Sequence, residues 1–139
     1  MSTRHFHLRL KASYQNEKNT LDELRVEVLN KGQWEVVDLS IRSPGFFIYI
    51  NGLFSCQHLY MRTNAAERNL SLASARGEMR LNANQQWQIQ DIEVSFTAKL
   101  GSGTPSEDDL AYIRERMHHC PVSSNLPDSV DLQNSVVFT

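Results

Sequence analysis

The sequence predicts an α+β fold, with strands at both ends of the chain and two helices set among them. Three observations carry this reading. Apolar residues alternate in the first forty positions, an almost wholly apolar stretch follows Ser43-Pro44, and the alternation returns after Leu70. The 139 residues suit one domain, 1–139. That length is enough to bury a core without staples or metal. Apolar residues make up 40% and charged residues 22%, which excludes a disordered or membrane-spanning chain.

In chain order, Phe6, Leu8, Leu10 and Ala12 fall on one face of a first strand and His5, His7, Arg9 and Lys11 on the other. The polar run Gln15 to Asn19 is a turn. Leu24, Val26 and Val28 alternate with Arg25 and Glu27 in a second strand, and Asn30-Lys31-Gly32 turns into a third, Trp34 to Leu39. Pro44 suits the first turn of a helix and Ser43 can cap it. That helix, Phe46 to Met61, is apolar nearly all round and carries Cys56. It falls short of the ~20 mainly apolar residues of a membrane span.

Leu70 and Leu72 open a further strand. Asn82 to Gln85 is its hairpin turn, and Trp87, Ile89, Ile92, Val94, Phe96 and Ala98 form the return, with a bulge near Gln90-Asp91. Gly101-Ser102-Gly103 reads as a loop. Ser106 and Asp109 cap a second helix with Leu110, Ile113 and Met117 inward. Pro121 stops it near His119-Cys120. A short helical turn within Pro121 to Leu126 and a closing strand, Val130 to Phe138, complete the chain.

Charge and cysteine content bound the function. Fourteen basic and sixteen acidic residues leave a net charge of −2, which argues against a general nucleic-acid or anionic-membrane binder. The face His5-His7-Arg9-Lys11 reads as a solvated strand face rather than a phosphate track. No charged start followed by an apolar run is seen, so a cytoplasmic protein is expected. Two cysteines do not make a disulfide scaffold. Cys56 in an apolar helix should have a raised pKa. Cys120, just before Pro121, would sit at the start of a helical turn, where a thiolate is favoured. Two inert buried thiols remain the alternative. Cys56 and His58 point about 200° apart on a helix and do not suit one metal ion, and adjacent His118, His119 and Cys120 share that difficulty.

The segment Cys120-Pro121-Val122-Ser123, with a helical cysteine 64 positions earlier, resembles the OsmC/Ohr family of osmotically inducible and organic-hydroperoxide-resistance proteins. Strand and helix order agrees over most of the chain, most clearly from Ser43 to Phe138. The resemblance implies antiparallel sheets around a buried central helix in an intertwined homodimer. It implies a thiol peroxidase, needing no cofactor or metal, that reduces organic hydroperoxides. Cys56 would be oxidised to a sulfenic acid and Cys120 would resolve it to a disulfide. A dithiol reductant, lipoyl-linked in some members, would reset the pair.

Family peroxidases carry a carboxylate just after the helix-opening proline, and it holds a thiolate-stabilising arginine. In this chain the turn reads Pro44-Gly45-Phe46-Phe47, without an acid, and the spacing from proline to cysteine is one residue longer. Arg4, Arg9, Arg25, Arg42 and Arg62 are all open for the arginine. Arg42, two residues before the helix opening, is the candidate, with a solvated loop arginine as the plainer reading. The alternative function is an OsmC-like homodimer with weak or lost peroxidase activity, acting as a small-molecule-binding or structural protein.

Overall fold

The computed structural model describes residues 3–139. Strands β1 (Arg4–Gln15), β2 (Thr20–Asn30) and β3 (Gln33–Val36) lead to helix α1 (Gly45–Glu67). Strands β4 (Ser71–Ala83) and β5 (Ile89–Ser102) follow. Helix α2 (Glu107–His118), a 3₁₀ turn (Ser123–Asn125) and strand β6 (Asp131–Phe138) complete the described chain. All six strands join one sheet in the order β3-β2-β1-β4-β5-β6, so the α+β class holds. Its pairs are antiparallel except the last: β6 runs parallel to β5, from Asp91↔Asp131 to Ala98↔Phe138. The crossover through α2 makes that direction possible, since parallel neighbours need a long connection between them.

The alternation of β1 sets the two faces of the sheet. Leu8, Leu10, Ala12 and Tyr14 are buried beneath α1, joined by Met79 and Leu81 of β4 and by Ile92, Val94 and Phe96 of β5. Gly77 of β4 lies against the Phe96 ring, where a Cβ would come within 2.5 Å of it. The bulge expected near Gln90 is present: Asn82 pairs with Asp91 and Ala83 with Ile89, leaving Gln90 as the extra residue.

Several local expectations are corrected. Pro44, not Ser43, is the N-cap of α1; its carbonyl takes the first helical bond, from the Ile48 amide at 3.0 Å. Ser43 Oγ instead accepts from the Ser40 amide at 3.1 Å. Helix α1 continues past Met61 to Glu67, and β3 stops at Val36, short of Leu39. Asn82 and Ala83 belong to β4, and the turn is built on Asn84, whose Oδ1 accepts from the Gln86 and Gln88 amides at 3.0 and 2.9 Å. Trp87 lies in that turn with φ of 65°, outside strand geometry. Its ring closes over Phe46, 5.0 Å between centroids, and so helps seat the start of α1. Gly101 and Ser102 extend β5, because Ser71 pairs with Ser102 past a register shift that leaves Gly101 unpaired. The capping box of α2 is complete: the Asp109 amide donates to Ser106 Oγ at 3.1 Å and the Ser106 amide to Asp109 Oδ2 at 2.9 Å.

Within one chain α1 is buried along a single stripe, Ile50, Asn51, Leu53, Phe54, Gln57, His58, Met61, Asn64 and Ala65. Tyr49, Ser55 and Leu59 on other sides of it are exposed. The sheet continues past the helix. Leu24 of β2 shares a face with Ala12 yet is 46% exposed, and a groove of about 520 Å³ separates β2 from α1. Leu24, Val26, Val37 and Leu39 form one wall, and Phe54, Ser55 and His58 form the other. No helix among the described residues is long and apolar enough to cross a membrane.

Candidate functional site

The two cysteines meet where α1 packs on the C-terminal end of α2. Helix α2 ends at His118, its cap His119 donates to the Arg116 carbonyl, and Pro121 prevents continuation. The chain turns sharply, with the Ser124 amide on the Cys120 carbonyl at 2.9 Å. That turn brings Cys120 back against α1. The Cys56 thiol lies close enough to the Cys120 thiol and the Val122 backbone amide for both to shift its ionisation. Cys56 is half-buried; Cys120 is fully buried.

The surroundings of the two sulfurs differ. Burial pushes the Cys56 thiol up to about 11, the neighbouring Cys120 thiol adds to this, and the Val122 amide opposes it. Helix α1 has no acidic residue in its first turn, so the carboxylate missing from the sequence pattern is missing from the folded helix start as well. The Cys120 sulfur sits among hydrogen-bonding groups: Gln57 Nε2 at 3.3 Å, Ser123 Oγ at 3.0 Å and the Ser123 amide at 3.4 Å. Arg42 stands in the exposed segment before α1, where its backbone amide donates to Ser40 Oγ at 3.1 Å. Among the described residues, no arginine acts on the Cys56 thiol.

Two groups near the thiols were not singled out by sequence reasoning. Gln57 is fully buried and donates to the Met117 carbonyl at 2.7 Å as well as to Cys120, so it fastens α1 to the end of α2 at the cysteine pair. Ser123 Oγ is also placed to donate to the His118 carbonyl at 2.9 Å, gathering the strands of the turn around Cys120. A buried glutamine in an apolar helix was the available signal for the first. For the second, the serine of Cys-Pro-Val-Ser was visible but its bonding was not.

Two residues beyond the cysteine and on another side of α1, His58 forms a separate buried pair. The Tyr14 hydroxyl and His58 Nε2 are 2.6 Å apart, and the imidazole stacks on Phe96 at 5.7 Å. Burial, reinforced by nearby Arg62, lowers His58 to about 4. Burial raises the Tyr14 hydroxyl well above its ordinary range. The pair is thus neutral at pH 7. Among the described residues no group of three or more His, Cys, Asp or Glu side chains is placed to hold a metal ion.

No family model and no curated protein sequence matches the chain. Solved structures do. An OsmC-like protein from Mycoplasma pneumoniae aligns over 93% of this chain and 95% of its own, with 10% identity and a TM-score of 0.56. An OsmC-like hydroperoxide resistance protein from Jannaschia sp. aligns over 87% and 85%, with 17% identity and a TM-score of 0.53. An OsmC-like protein of unknown function from Vibrio cholerae aligns over 99% and 100%, with 12% identity and a TM-score of 0.53. Identities this low speak for architecture, and the architecture is matched end to end: the chain has the OsmC-like fold.

Proposed function

We propose that this protein is a divergent OsmC/Ohr-type thiol peroxidase acting on organic hydroperoxides. The observation that supports it best is a half-buried thiol, Cys56, near enough to a fully buried one, Cys120, at a helix break for the second to shift the ionisation of the first. The Cys56 thiolate attacks the O–O bond; an alcohol leaves and Cys56 becomes a sulfenic acid. The Cys120 thiol then displaces the sulfenic oxygen as water, and an S–S bond forms. A dithiol reductant returns both thiols. In a reducing cytoplasm the pair rests reduced between turnovers. Arg42 is the proposed activating group, brought in from the exposed segment before α1.

The partner in this reading is a second copy of the chain. The exposed side of α1 and the groove beside β2 present Leu24, Leu39, Tyr49 and Leu59 to solvent. A second copy crossing there would cover them, and an obligate interface of more than ~2,000 Å² is expected. Sedimentation as a stable monomer at micromolar concentration counts against it.

A second reading is favoured by the raised Cys56 thiol and the acid-free first turn of α1: a protein of the same fold with slow peroxidase chemistry that binds a small apolar or thiol-bearing ligand. Thiol titration with and without cumene hydroperoxide separates the two. Paired loss of both thiols on peroxide addition supports the peroxidase; alkylation with no response to peroxide supports the binder. Mass spectrometry of Cys56→Ser and Cys120→Ser tests the roles. Retained activity with an added oxygen on Cys120 in Cys56→Ser would reverse the assignment.

A further inference from the structure

The face of the sheet turned away from the helices carries an unusual row. Arg25 of β2 pairs directly with Lys11 of β1, and Lys11 pairs directly with Arg76 of β4. Three cations therefore stand side by side on adjacent strands, and the next position in the row, on β5, is Thr97. Like charges directly opposite one another in a sheet repel and are destabilising.

The neighbouring carboxylates relieve this only at Arg25, which shares Glu27 with Arg9. Glu27 is engaged by Arg9 at 2.8 Å and reached by Arg25 at 3.2 Å, and Glu78 by His7 at 3.2 Å. Lys11 and Arg76 have no ion pair among the described residues, and both are exposed. The three cations, Thr97 and Ser95 line an open basin of about 680 Å³, and Arg9, held by Glu27, lines it as well. With strands ~4.8 Å apart, the row from Arg25 to Arg76 spans about 9.6 Å, longer than one tetrahedral oxyanion.

We propose that this basin is a binding site for a small polyphosphate-bearing ligand, its phosphates laid across the strands on Arg25, Lys11 and Arg76, with the Thr97 hydroxyl at the far end. Arg supplies forked donors and Lys a compact charge, the usual pairing for phosphate oxygens. Glu27 and Glu78 bound the basin on one side and disfavour a ligand that runs along the strands instead of across them. The site is on the opposite face of the sheet from both cysteines and does not depend on the peroxidase reading.

Titration calorimetry with tripolyphosphate at low salt tests this on the whole protein. The expected result is saturable one-to-one binding, weakened at least tenfold in both Lys11→Gln and Arg76→Gln, and little changed in Arg114→Gln, which removes an equal charge from the exposed side of α2. Lys11→Gln relieves the repulsion, so without ligand it should melt no lower than the natural protein, and it should lose the ligand-induced rise in Tm. Absence of saturable binding overturns the proposal. So does an equal loss in Arg114→Gln, which would reduce the effect to net charge, or binding only to long single-stranded nucleic acid with none to tripolyphosphate.

Discussion

At the scale of residues, the chemistry of the site turns on which groups touch Cys56. Beyond burial, the influence that raises its thiol comes from the neighbouring Cys120. Cys120→Ala should therefore move the midpoint of Cys56 alkylation to lower pH. Each pH unit by which it falls speeds alkylation below the midpoint about tenfold, through the larger thiolate fraction. An unmoved midpoint would mean that burial alone sets the thiol. His58 makes a second prediction. Its folded pKa, about 4, lies below the ordinary 6.5, so the unfolded chain binds the extra proton first as pH falls. Its contribution is intact above pH 6.5 and is lost between 6.5 and 4, a decline on the order of 3 kcal/mol. Urea midpoints measured across that window should fall more steeply for the natural protein than for His58→Gln. The sequence announced Cys56 and Cys120 through a short motif, because cysteine is rare and Cys-Pro-Val-Ser is distinctive. It was silent on Asn19. Within a run read as an ordinary polar turn, Asn19 is fully buried at φ 55° and bonds the Arg62 and Leu70 carbonyls and the Leu72 amide. Nothing local distinguishes an asparagine that faces water from one whose partners are more than forty residues away.

At the scale of elements, periodicity revealed the strands and α1 because burial on one face imposes it. The errors cluster where backbone geometry rather than burial decides: the proline cap of α1, the left-handed Trp87 and the bulge that lets β5 run through Gly101. Faces were legible, and ends were not. Packing between elements is tightest at Gly77, where β4 lies under Phe96, itself between Phe54 at 6.1 Å and His58 at 5.7 Å. Gly77→Ala pushes a methyl into that ring, with Leu10 Cγ at 3.2 Å on the other side. The expected cost is about 1–3 kcal/mol by chemical denaturation, because Phe96 is buried and has nowhere to retreat. The α2 capping box should matter less: Ser106→Ala removes one exposed cap, for ~1 kcal/mol.

At the scale of the whole molecule, α1 and α2 cover one face of the sheet from β1 to β6 and leave β2 and β3 beside an open groove. Sequence reasoning anticipated an apolar helix needing cover on nearly every side, and one chain supplies that cover along one stripe. The parallel pairing of β6 has a different consequence, for the order in which the molecule is made. Strands β1 to β5 can pair with their neighbours as they emerge, but the outer edge of β5 stays open until β6 arrives. Only then do the β6 ladder and the Leu100–Thr139 and Thr139–Ala98 bonds close it. An open strand edge recruits other chains. A chain ending at Pro127 should therefore partition into aggregates on size exclusion while the full-length protein elutes as a discrete species. During synthesis the hazard is timed: a nascent chain stalled short of β6 carries a nearly finished sheet with the long edge of β5 uncovered, and the emergence of β6 is the moment at which that strand gains its partner.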